Sequence, residues 1–206
     1  MKWLLWASLL AFGCTSTAPV VSASDSPKSP GPALAARSQV PLMATRAGQE
    51  DFRLQPEGGS MQVVCQGKTY QAKIESDRVK VLDGEVLQAK AKRKEAGFEL
   101  EDGSGERLIR AKYKQGPDIR FEDGQERILL HLQPQADRLR WLGPAGQSLG
   151  EIRQQADEIQ LMDATKKVTA AVKGASRLEV GAILPLDSLT PLQRATLALY
   201  LAEVGP

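Results

Sequence analysis

"FELEDGSGERLIRAKYK", residues 98–114, decides the fold. Phe98 and Leu100 alternate with Glu99 and Glu101, and Ile109, Ala111 and Tyr113 alternate with Arg110, Lys112 and Lys114. A period of two puts one set on each face of an extended chain. The Asp-Gly text between the runs marks a tight turn, because both residues tolerate the backbone that hairpins need. The stretch reads as a β-hairpin.

The same text recurs. "VKVLDGEVLQAKAK" starts at Val79, "IRFEDGQERILLHL" at Ile119, "LRWLGPAGQSLGEIR" at Leu139 and "IQLMDATKKVTAAVK" at Ile159. Successive offsets of 19, 21, 20 and 20 residues define a period of about twenty. Shorter alternating runs at residues 52–54, 61–64 and 69–74 extend the theme toward the N-terminus. The expectation is an all-β meander of about twelve or thirteen short strands. Val79, Val81, Phe98, Leu100, Ile119, Phe121, Leu139, Trp141, Ile159 and Leu161 fall on one face. Lys80, Glu99, Arg120, Arg140 and Gln160 fall on the other. One face is wet and the other must be covered.

The C-terminus supplies the cover. "TPLQRATLALYLAEV", from Thr190, opens with an N-cap threonine, a proline at the first helical position and Gln193 in capping-box spacing. From Ala195 to Ala202 almost every residue is apolar, and a helix that is apolar all round is buried all round. A closed antiparallel barrel with this helix through its centre satisfies both demands, and closure leaves no strand edge exposed.

That pattern resembles the tubby C-terminal superfamily, with its phospholipid scramblase-like and LURP-one-related members. The resemblance spans roughly residues 51–204. It rests on the repeated Asp-Gly hairpins, on "GQSLGEIR" at 146–153 and on "LPLDSLTPLQRATLALYL" at 184–201. Cysteine-rich scramblase segments and a transmembrane tail are absent, so lipid flipping is not carried over. The resemblance implies a binding or scaffold module, with lipid-headgroup recognition known among such domains.

The first fourteen residues, "MKWLLWASLLAFGC", combine Lys2 with an apolar run from Trp3 to Phe12, the pattern of a secretory signal. Gly13-Cys14 resembles a bacterial lipobox, which implies signal removal before Cys14 and a lipidated Cys14. Ala11 and Phe12 depart from the usual lipobox residues, and cleavage after Val21 to Ala23 is the rival reading. Thr15 rather than Asp after the cysteine implies an outer-membrane lipoprotein facing the periplasm. Residues 14–50, rich in Ser, Ala and Pro, read as a tether of roughly 30 Å average reach. The expected organisation is signal 1–13, anchored tether 14–50 and barrel 51–206. Cys65, the second of two cysteines, reads as a small buried hydrophobe; a 14–65 disulfide is conceivable only if Cys14 is retained without lipid.

Chemistry is sparse in this sequence. The lone histidine, His131, has no hydrolase motif around it and reads as a plain strand residue. No metal-ligand spacing occurs, and Asp83, Asp102 and Asp123 sit where turn chemistry explains them without calcium. No cofactor and no enzyme activity are expected. With 27 basic and 25 acidic residues and few exposed aromatics, nucleic acid is not an expected partner. The one candidate binding surface is basic: Lys90, Lys92 and Lys94 on one strand, and Arg110, Lys112 and Lys114 two strands away, suited to a phosphate or lipid headgroup. Glu99 and Glu101 on the strand between face the same way, so cross-strand pairing competes with that role.

Two functions follow as expectations. One is a membrane-anchored, non-enzymatic envelope lipoprotein that binds a protein or lipid headgroup through the outside of a filled barrel. The alternative is a carrier of lipid or lipoprotein, whose half-open barrel holds acyl chains in a cavity. The uniformly apolar helix favours the first, since a carrier's lid needs one polar side.

Overall fold

The computed structural model describes residues 41–113 and 118–205. The expected signal, Cys14, the expected tether up to residue 40 and Lys114 lie outside the described residues. Fourteen strands form the wall. Four lead in: β1 (Leu42–Arg46), β2 (Gln49–Glu57), β3 (Ser60–Cys65) and β4 (Lys68–Ile74). Five hairpins follow: β5 (Arg78–Asp83) with β6 (Val86–Lys94), β7 (Gly97–Asp102) with β8 (Arg107–Tyr113), β9 (Ile119–Asp123) with β10 (Ile128–Gln135), β11 (Arg138–Leu142) with β12 (Ser148–Gln155), and β13 (Glu158–Asp163) with β14 (Val168–Lys173). A 3₁₀ helix (Leu178–Ile183) and α1 (Pro191–Glu203) complete the chain. Each strand pairs antiparallel with its sequence neighbours, and β1 closes the ring on β14.

The five repeats coincide with the five hairpins, and the lead-in runs with β2, β3 and β4. Two expectations need correction. Among the described residues there are fourteen strands rather than about twelve, and the tether does not extend to residue 50. Residues 42–50 supply β1 and the start of β2. The reason is closure: without β1, both β2 and β14 would present an unpaired edge. Leu42 and Ala44 turn inward and are buried, while Thr45 and Arg46 stay partly exposed.

All five hairpins share a device that the sequence does not display. The strand register slips by one residue close to the turn, between Val81 and Leu82, Leu100 and Glu101, Ile128 and Leu130, Trp141 and Leu142, and Leu161 and Met162. Such bulges bend a strand and sharpen its twist, so repeating one per hairpin helps curve the wall into a ring. The turns of the last four hairpins also match. In the β7–β8 turn the Asp102 N–H donates to the Glu106 carbonyl at 2.9 Å, and the Gly105 N–H donates to the Asp102 carbonyl at 3.1 Å. The same pair of bonds recurs at Asp123, Gly143 and Asp163. The penultimate turn residue takes a positive φ each time, at Gly105, Glu126, Gly146 and Lys166.

The interior is apolar and occupied. Of the ten residues assigned inward, nine are buried; Trp141 is half-buried at the wall, where its indole N–H donates to the Met162 carbonyl at 3.3 Å. Gly150 makes room for it, because a Cβ there would meet that carbonyl at 2.0 Å and the indole nitrogen at 2.3 Å. The helix α1 packs against β2, β3, β5, β6 and β7. Its residues from Arg194 to Leu201 are all buried. Thr190 and Gln193 form the expected capping box. The 3₁₀ helix fills the opposite side against β12, β13 and β14. Gly181 permits that approach, since a Cβ would lie 2.6 Å from Ile152 Cγ2 and 2.7 Å from Ile159 Cγ2. The barrel is filled from both sides.

Cys65 is buried on the inward face of β3, as a small hydrophobe. Burial pushes its thiol pKa up, and the Asp51 carboxylate adds to that. The ends of α1 are pinned by charge. Arg194 is 5% exposed and donates twice to the Asp51 carboxylate, both at 2.7 Å, and also to the Leu189 carbonyl. At the other end the Arg93 guanidinium donates to the Val204 carbonyl at 2.9 Å, a cation where the helix dipole favours one.

Candidate functional site

With the interior filled, the polar chemistry of the described residues lies on the outer wall. The alternation that sends Ala89 and Ala91 inward turns Lys90, Lys92 and Lys94 outward on β6. Arg110 and Lys112 face out on β8. Between them β7 presents Glu99 and Glu101, and β9 presents Glu122. The five described basic candidates therefore do share one surface. Arg107 and Arg120 join them, although the sequence reading did not include these two among the candidates.

Those cations are engaged with the carboxylates beneath them. Lys90 Nζ lies 2.6 Å from Glu101, and Lys92 pairs with the same carboxylate. Lys94 Nζ lies 3.1 Å from Glu99, with Arg107 and Arg110 each 3.8 Å from it. Lys112 and Arg120 close on Glu122 at 2.7 and 2.5 Å. Glu99, Glu101 and Glu122 are themselves buried, at 8%, 7% and 2% exposure, under the stems of these side chains. A shallow cleft of about 260 Å³ adjoins the cluster beside Lys94, Gly97 and Arg110. Gly97 is obligatory there, with φ near +152° and a Cβ that would fall 1.9 Å from the Ala111 carbonyl oxygen.

A second knot sits on β11, β12 and the β13–β14 turn. Glu151, 5% exposed, receives Lys166 at 2.7 Å, Arg153 at 3.0 Å and Arg138 at 3.3 Å. Hydrogen bonding from Lys166, with Arg153 behind it, outweighs burial and holds the Glu151 carboxyl below the ordinary range. At Glu101 and Glu122 burial pushes the other way most strongly. The hydrogen bonds and charges of Lys90 and Lys92, and of Lys112 and Arg120, still leave both carboxyls lowered.

The sign of the pH dependence follows. A carboxyl whose pKa is lower folded than unfolded contributes stability that is complete above its unfolded value. That contribution is lost as pH falls through the folded value. The denaturant midpoint is expected to stay level down to about pH 5 and to fall below it, as the unfolded chain begins to take up protons. Replacing Glu151 by Gln is expected to make that acid limb shallower. A midpoint that declines above about pH 6, or is indifferent to acid, would contradict this assignment.

The turn aspartates hold their own backbone. Asp102 Oδ1 accepts from the N–H groups of Ser104 and Glu106, both at 2.9 Å, and Asp123 Oδ1 accepts likewise from Gln125 and Arg127. Asp163 repeats the arrangement with Thr165 and Lys167. Among the described residues no group of three or more His, Cys, Asp or Glu is placed to hold a metal ion. His131 faces outward on β10, opposite Arg120 on one side and Leu142 on the other. No helix among the described residues is long and apolar enough to cross a membrane. The wall does not present the apolar outer band of a membrane-spanning barrel either: its outward positions on β5–β8 hold Lys80, Lys90, Lys92, Glu99, Arg110 and Lys112.

No protein-family model matches the chain, and no curated protein matches it.

Proposed function

We propose that this is a non-enzymatic, membrane-tethered envelope protein that binds a protein or lipid partner through the outer wall of a tubby-like barrel. The observation that carries the reading is the filled interior. The helix α1 and the 3₁₀ helix occupy the space that a carrier would need for acyl chains. The cleft at the barrel mouth, beside Leu54, Met61 and Leu199, holds about 40 Å³, room for a water or a few and not for a lipid tail. Charged groups concentrate outside, where a partner can reach them. In this reading Cys14 carries the lipid anchor, and the residues between it and β1 hold the barrel clear of an outer membrane on its periplasmic side.

The test is native mass spectrometry of the full chain released from membranes in mild detergent. The expected spectrum shows the protein with its own anchor and no further lipid, and a Cys14→Ser chain that leaves the membrane fraction. A stoichiometric phospholipid retained in the gas phase would overturn the reading and favour the half-open carrier.

A further inference from the structure

A cleft of about 480 Å³ opens on the outer wall between the end of β10, the paired strands β11 and β12, and the β13–β14 turn. Its chemistry is set by Gln135, Arg138, Arg140, Ser148, Glu151 and Lys166. Arg138 and Lys166 are both oriented by the buried Glu151 carboxylate, and Arg153 shares that anchor. Asp163, the other acid in the lining, has Oδ1 occupied by the N–H groups of Thr165 and Lys167. Three cations of the lining, Arg138, Arg140 and Lys166, thus face two carboxylates, and each carboxylate already has an oxygen held.

Arg140 differs from its neighbours. It stands directly across from Glu151 in the β11–β12 register, yet among the described residues it makes no ion pair and no side-chain hydrogen bond. On the β6–β9 wall, by contrast, Lys90, Lys92, Lys94, Arg110 and Lys112 all have a carboxylate partner. A half-exposed guanidinium beside two prealigned cations presents a planar fork that no carboxylate of the described residues pairs with. That fork matches two oxygens of a tetrahedral oxyanion, with the Lys166 ammonium and the Ser148 hydroxyl on the cleft wall for a third. The volume is that of a small-ligand site.

We propose that this cleft, centred on Arg140, binds a phosphate-type oxyanion. The site deepens the outer-wall reading given above and rests on it. The lining carries one more cation than acids, and a phosphate group neutralises that surplus while setting two oxygens against the guanidinium fork. The phosphate comes either from a lipid headgroup at the membrane that the tether faces or from a soluble phosphate ester; the chemistry of recognition is the same.

The experiment titrates inorganic pyrophosphate into the full chain at low salt, by calorimetry, for the native protein and for Arg140→Gln and Lys73→Gln, the latter an exposed lysine of β4 away from either cleft. Native protein and Lys73→Gln are expected to bind alike, and Arg140→Gln about tenfold or more weakly with an unchanged melting temperature. In a second arm the Cys14→Ser chain, whose anchor cannot decide the outcome, is floated with phosphatidylcholine vesicles with and without phosphatidylglycerol. Flotation that needs both phosphatidylglycerol and Arg140 assigns the anion to a lipid headgroup. Pyrophosphate binding without flotation assigns it to a soluble phosphate. Absence of pyrophosphate binding by the native chain, or binding indifferent to Arg140→Gln, overturns the site. Either leaves the filled-barrel module standing, since that reading is tested separately by lipid retained inside the barrel.

Discussion

Asp51→Ala is expected to cost about 3–5 kcal/mol of stability, enough to unfold a marginal domain near physiological temperature. The Asp51 side chain is 9% exposed and that of Arg194 6%, and the two form a bidentate pair with both bonds at 2.7 Å. Removing the carboxylate strands a guanidinium at the junction of α1 and β2, with only the Leu186 and Leu189 carbonyls left to it. Most of the loss comes from that unpaired charge, not from the worth of the pair itself. The double variant Asp51→Leu/Arg194→Met, which removes both charges, is therefore expected to recover much of the stability. Equal losses in single and double variants, by urea denaturation, would show that the pair is not what holds the helix.

Phe98→Ala is expected to destabilise by about 3–5 kcal/mol, by lost burial and the cavity left behind. Phe98 is fully buried, and its ring meets three others: Tyr200 of α1 at 5.3 Å, Phe121 at 6.0 Å and Tyr113 at 6.2 Å between centroids. It is the point where the repeat and the helix touch. Val86→Ala, at a residue 64% exposed at the start of β6, is the contrast and is expected to change stability by less than about 0.5 kcal/mol. A thermal or urea midpoint that moved equally for both would refute the placement of Phe98 in the core.

The hairpins were legible because their inward and outward residues alternate and because each turn carries its own chemistry. The helix was legible because it has a cap, a proline and no polar side. Three features lay beyond that kind of reading. The strand β1 contributes only Leu42 and Ala44 to the core, and its pattern is submerged in Ser, Ala and Pro-rich text. The 3₁₀ helix has no period long enough to register, and its role depends on Gly181 meeting Ile152 and Ile159 far away in sequence. The burial of Glu99, Glu101, Glu122 and Glu151 is a property of the wall: long basic side chains from neighbouring strands close over them.

The candidate site was legible in part for the same reason. Facing residues on adjacent hairpins can be read from alternation, which brought Lys90, Lys92, Lys94, Arg110 and Lys112 together. Which cation finds a carboxylate depends on register, and the bulge beside each turn shifts that register by one. Arg140 shows the consequence. It appears in the sequence as one more outward arginine, and only the β11–β12 pairing reveals it across from a carboxylate that three other cations already hold.

The central claim is that α1 is a permanent plug. Hydrogen exchange of the full chain tests it most directly, read at the amides of residues 197–201. A plug predicts exchange only through global unfolding, as slow as the slowest amides of β2, β6 and β7 that enclose it. Exchange of those helix amides orders of magnitude faster than the surrounding strands would make α1 a lid that opens on a cavity, and would contradict the account.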